Sequence, residues 1–74
     1  MKLNELLEVT CLDTVVKIEG VRKRETVIEK VMNCKDKYGR INSAEREEVV
    51  KKYGKNKVFH QYVENNTLVI LIKC

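Results

Sequence analysis

The 74 residues leave room for one domain, and a chain this short buries only roughly 60% of the surface its unfolded form exposes. Apolar types make up 43% and charged types 35%; the apolar residues come in periodic groups, which excludes a disordered chain. Fifteen basic against eleven acidic residues give a formal charge of +4, an excess that permits contact with nucleic acid and serves equally for solubility.

Met1 to Glu8 carries two acidic residues and no long apolar core, so it does not read as a signal peptide. The longest apolar run, Leu68 to Ile72, is too short to span a membrane. A soluble, cytoplasmic protein is expected. Cys11, Cys34 and Cys74 are odd in number and widely spaced, without the close pairs of a zinc site. They read as reduced thiols, and a disulfide through Cys74 is the minor alternative.

In chain order, Leu3, Leu6 and Leu7 share one face of a short amphipathic helix that must dock on something to persist. Thr14–Gly20 alternates as a strand, with Val16 and Ile18 on one side. Glu25–Cys34 is ambiguous. Val27, Ile28, Val31 and Met32 fit a helical stripe, Thr26 and Glu29 fit a capping box, and Gly39 fits a stop. The β-branched content suits a strand pairing with Thr14–Glu19, but the pattern favours helix. Ser43–Tyr53 reads as a helix behind an Asn42/Glu45 capping box, with Lys51 and Lys52 in its last turn before Gly54.

Val58–Glu64 and Thr67–Lys73 flank Asn65-Asn66, a dipeptide suited to a type I′ turn. Pairing outward from it sets Val63 opposite Leu68, Gln61 opposite Ile70 and Phe59 opposite Ile72. The other face then holds Tyr62 with Val69, His60 with Leu71, and Val58 with Lys73. Both faces are largely apolar, so each needs a cover. The predicted fold is a single α+β domain over residues 1–74. Its antiparallel sheet has three or four strands and a C-terminal β-hairpin, with one or two helices packed on the face carrying Phe59, Val63, Leu68, Ile70 and Ile72.

Catalysis finds no support in these residues. His60 is the lone histidine and lies mid-strand, Asp13 and Asp36 form no pair, and Gly20, Gly39 and Gly54 are isolated. The chain is expected not to be an enzyme, and no cofactor or metal site is expected. Two binding surfaces compete. A protein partner, or a second copy forming a structural homodimer, would use the second hairpin face through His60, Tyr62, Val69 and Leu71. The last strand, if it is a sheet edge, could add a strand from a partner. The bland alternative is that Leu3, Leu6 and Leu7 cover this face. Nucleic acid would instead use basic clusters with interleaved tyrosines: Arg22, Lys23, Arg24, Tyr38, Arg40, Tyr53, Lys55 and Lys57. Against that, Lys-Tyr-Gly is also what an ordinary helix end looks like.

The opening Met1-Lys2-Leu3-Asn4-Glu5-Leu6-Leu7, leading into Thr14-Val15-Val16-Lys17-Ile18, and the closing Val63-Glu64-Asn65-Asn66-Thr67-Leu68-Val69-Ile70 resemble short accessory proteins of phages and prophages of low-GC Gram-positive bacteria. The opening is also similar to the start of some small anti-CRISPR inhibitors of Cas9. The resemblance implies a phage accessory protein that acts against a host defence system, and it supplies no catalytic residues. Many such inhibitors are acidic DNA mimics, whereas this chain is basic. In these phage proteins the middle segment often looks like a second strand, which competes with the helical reading of Glu25–Cys34. The leading expectation is therefore a non-enzymatic accessory protein that binds a macromolecular partner through its surface; nucleic-acid binding comes second and a structural homodimer third.

Overall fold

A computed structural model describes residues 1–74. Helix α1 (Leu3–Glu8) precedes strands β1 (Val15–Arg22) and β2 (Glu25–Met32); helix α2 (Ala44–Tyr53) then leads to β3 (Val58–Glu64) and β4 (Thr67–Lys73). The strands form one sheet in the order β2-β1-β4-β3. The two hairpins are antiparallel, but β1 and β4 pair in parallel, Val16 beside Leu68 and Ile18 beside Ile70. The α+β class, the four strands and the closing hairpin are as expected. The all-antiparallel arrangement is not. Helix α2 returns the chain along the length of the sheet before β3 starts, so β3 runs in the direction of β2 and β4 in that of β1.

Glu25–Cys34 is not a helix. Residues 25–32 form β2, and Met32 is buried beside Val16. Thr26, Val27, Ile28 and Val31 lose less rotamer freedom in a strand than in a helix, and the ladder of β1 satisfies one side of their backbone. The two-residue turn Lys23-Arg24 closes this hairpin with φ of 51° and 67°.

Helix α2 begins one residue later than expected, and the Asn42/Glu45 capping box is replaced by other contacts. Ser43 is the N-cap residue, the Ala44 amide donates to Asn42 Oδ1 (2.8 Å), and Ser43 Oγ donates to Glu47 Oε1 (3.3 Å). Gly39 stops no helix but sits in a loop turn at φ 79°.

Both helices lie on the same face of the sheet. Leu3, Leu6 and Leu7 of α1 and Val49 of α2 join Val16, Ile18, Met32, Ile70 and Ile72 in one core. Leu3, Leu6 and Leu7 therefore do not cover the second hairpin face, which has no helix over it. The register explains the choice: Met32–Val16–Leu68 and Ile28–Gly20–Ile72 are apolar rows on the covered side, while Lys17, Glu19 and Glu29 stand on the other.

The outer strand β3 escapes this cover. Its residues Val63 and Phe59 are 73% and 45% exposed, against full burial of Ile70 and Ile72, so only part of the expected apolar face is enclosed. A bulge shifts the hairpin register between Val58 and His60, setting Val58 opposite Ile72 and leaving Phe59 as the extra residue. The inner pairs Val63–Leu68, Tyr62–Val69, Gln61–Ile70 and His60–Leu71 are as expected. The last strand is not an edge; β4 is central, and the edges are β2 and β3.

Candidate nucleic-acid interface

The β1–β2 turn, the far end of β4 and the start of β3 converge at one end of the sheet. Val21 pairs with Lys73, the Cys74 amide donates to the Val21 carbonyl (3.0 Å), and the Lys73 amide donates to the Lys57 carbonyl (2.9 Å). The chain's first residues are stitched to the same end, since Lys2 bridges Lys57 and the Val58 amide donates to the Met1 carbonyl (2.8 Å). Lys2, Arg22, Lys23, Arg24, Lys55, Lys57 and Lys73 are thereby gathered, all exposed. None of them takes part in an ion pair; the four salt bridges belong to Lys17, Lys30 and Lys52. Glu25 stands opposite Arg22 across the hairpin without bonding it. Unpaired, solvated cations converging from separate elements make a positive field that a polyanion can enter without first breaking protein contacts.

The turn itself carries strain. Type I′ turns place both central residues at positive φ, where Asn and Gly are at ease and long side chains are not. Asn65-Asn66 obeys the preference with φ of 52° and 61°, whereas Lys23-Arg24 defies it.

The other sequence candidates separate. Tyr38 and Arg40 lie in the loop at the opposite end, which follows β2 and precedes α2. There Lys37 Nζ and Arg40 Cζ stand 5.1 and 5.2 Å from the Tyr38 ring centre. Asp36 Oδ1 builds that loop by accepting from the Tyr38 and Arg40 amides, both at 2.9 Å. Tyr53 is half-buried, packed against the core at the end of α2. Lys2 and Lys73 were missed in the sequence because only the parallel β1–β4 pairing and the Lys2–Lys57 bridge bring them to the turn.

On the uncovered sheet face, His60 and Tyr62 stand side by side, ring centres 5.6 Å apart. Val69, expected to meet a partner, is only 3% exposed, and Leu71 is half-buried. An ion-pair row crosses the middle of this face: Lys17 Nζ lies 2.9 Å from Glu29 and 3.5 Å from Glu19. The hydrogen bond and charge of Glu29 raise the Lys17 pKa above its ordinary value, with a smaller contribution from Glu19. This face is thus less apolar than its hairpin half alone suggests.

A groove of about 570 Å³ runs between the helices, lined by Asn4, Leu7, Leu12, Arg46 and Val50 among others. Arg46 lines it while donating to the carbonyls of Leu7, Thr10 and Cys11 at 3.0, 2.6 and 3.0 Å. The three cysteines are free thiols, Cys34 buried and Cys11 exposed. No group of three or more His, Cys, Asp or Glu side chains is placed to hold a metal. No helix is long and apolar enough to cross a membrane. Comparison with protein-family models, with curated proteins and with solved structures finds no match.

Proposed function

We propose that this is a non-enzymatic binding protein of the phage-accessory kind whose macromolecular partner is a nucleic acid, held through its phosphates at the cationic end of the sheet. One observation carries the reading: Lys2, Arg22, Lys23, Arg24, Lys55, Lys57 and Lys73 converge there from four parts of the chain, exposed and unpaired. The strained Lys23-Arg24 turn adds weight, because two cations stand where Asn-Gly would fold more easily.

Binding weakens steeply with salt under this reading, since each neutralised phosphate releases condensed counterion. Changing Arg22 and Arg24 together to Ala flattens the salt slope by about two units if both contact duplex phosphates. A mobility-shift titration at two salt concentrations measures it. Absence of any shift with RNA or DNA at either salt removes the proposal and leaves a protein partner on the uncovered face, at His60, Tyr62 and Leu71, as the reading to pursue. Tyr38→Ala leaves the affinity unchanged, because that ring lies at the other end of the molecule.

The turn offers a second test. Replacing Lys23-Arg24 by Asn-Gly relieves the positive-φ strain and raises stability by roughly 1–2 kcal/mol, while nucleic-acid affinity falls. Thermal melting and the same titration read the two effects. If the exchange leaves affinity intact, the turn takes no part in binding.

A further inference from the structure

The cationic end and the uncovered face of the sheet are continuous. Side chains alternate along β4, so burial of Ile70 and Ile72 under the helices puts Val69, Leu71 and Lys73 on the other side. Tyr62 and His60 stand there too, opposite Val69 and Leu71. Val58 packs on the core opposite Ile72, so Lys57, one residue earlier, falls on the uncovered side. It lies beside Lys73, whose amide donates to its carbonyl. Two lysines of the cationic end therefore share a face with two aromatic rings. The Lys57–Lys73, His60–Leu71 and Tyr62–Val69 pairs succeed one another at two-residue steps of β4, about 6.7 Å each. An extended strand of nucleic acid advances by a similar length per nucleotide.

The rings are placed to receive bases. His60 and Tyr62 are exposed, with ring centres 5.6 Å apart and planes tilted by 39°. Val69 is only 3% exposed although no helix lies over it. Tyr62, its cross-strand partner, is the largest neighbour able to cover it. A ring laid over Val69 turns its other side to solvent.

We infer that the cationic end holds a single strand, DNA or RNA, with phosphates at Lys57 and Lys73 and two successive bases stacked on His60 and Tyr62. This single-strand site rests on the nucleic-acid reading above and narrows it. A duplex keeps its bases stacked on one another and offers a ring on a sheet no base face, whereas an unpaired base does. The site is short, because carboxylates bound it. Lys17 is held between Glu19 and Glu29, which leaves that row net negative, and Glu64 follows Tyr62 on β3.

Fluorescence anisotropy of labelled oligothymidine and oligouridine, each also paired with its complement, tests this at low salt. At least one single strand is expected to bind more tightly than its duplex, and the better of the two identifies the sugar. Tyr62→Ala and Tyr62→Leu are expected to lose about 5- to 150-fold in single-strand affinity, the worth of one stacked base, with duplex affinity unchanged. Leucine still covers Val69, so its loss does not come from a disturbed sheet, and Tyr62→Phe keeps both the ring and the affinity. Duplex binding as tight as single-strand binding overturns the inference and leaves the phosphate contacts standing. So does full single-strand affinity in Tyr62→Leu; a weakened Arg22→Ala/Arg24→Ala variant in the same titration then shows that the phosphate reading survives. No binding of any probe removes this inference and the proposed function together.

Discussion

Replacing Ile70 by Ala is expected to destabilise the fold by roughly 2–5 kcal/mol, the range for removing a large aliphatic side chain from a core that cannot collapse around the gap. Ile70 has no exposed surface and lies beside Ile18 in the parallel ladder, beneath the two helices. Domains hold only about 5–15 kcal/mol in total, and one this short sits at the low end, so much of the population unfolds. Urea titration with a far-ultraviolet signal measures the loss. Val63→Ala serves as the internal comparison: the same sheet face, one strand further out and largely exposed, with a change within about 0.5 kcal/mol under monomeric conditions. Equal effects at the two sites would mean that the helices do not sit over β1 and β4.

What was legible in the chain was what short-range chemistry dictates. Asn65-Asn66 specified a type I′ turn, and the turn fixed the inner register of the hairpin. Leu3, Leu6 and Leu7 marked the buried stripe of α1, and Lys51, Lys52 and Gly54 marked the end of α2. The errors have a common physical origin in contacts distant along the chain. Val27, Ile28, Val31 and Met32 satisfy a helical stripe as well as a strand, and only the ladder with β1 decides. That β4 is central rather than an edge depends on its pairing with β1, some fifty residues earlier by the number of Val16 against Leu68. The candidate site shows the same division. The Arg22–Arg24 cluster was visible as three adjacent letters, whereas its extension to Lys2 and Lys73 exists only once the sheet is assembled. The φ values of Lys23 and Arg24 had no signature at all, because neither residue announces a left-handed turn.

Arg46 carries the second large effect. Its guanidinium donates to the carbonyls of Leu7, Thr10 and Cys11, where α1 ends and the chain turns towards β1. The helix presents the negative end of its dipole there and has no basic residue in its own last turn. One side chain of α2 therefore supplies the partner of the Thr10 carbonyl, shares those of Leu7 and Cys11 with the Thr10 and Thr14 amides, and neutralises the partial charge at the helix end. A helix of six residues has no stability of its own, so its docking rests on this clasp, on Leu3, Leu6 and Leu7, and on the Leu3 and Asn4 amides bonded to the Asn56 and Gly54 carbonyls. Arg46→Met keeps most of the apolar stem but leaves the Thr10 carbonyl to water and the Leu7 and Cys11 carbonyls with their backbone donors alone. Hydrogen bonds to a charged group contribute about 1.5–3 kcal/mol each and do not add fully, so a loss of roughly 2–4 kcal/mol is expected. Arg46→Lys recovers only part of it, because a single ammonium cannot reach three carbonyls in the guanidinium's fork. Denaturant titration gives the magnitude, and amide exchange in residues 6–10 gives the location. The effect should extend to binding. When α1 loosens, Lys2 leaves its bridge with Lys57, and the cationic end loses one of its unpaired charges. The expected result for Arg46→Met is a lower melting point together with a modest drop in nucleic-acid affinity at low salt. Unchanged exchange across α1 would show that the leucines and the backbone bonds to Gly54 and Asn56 hold the helix in place without Arg46.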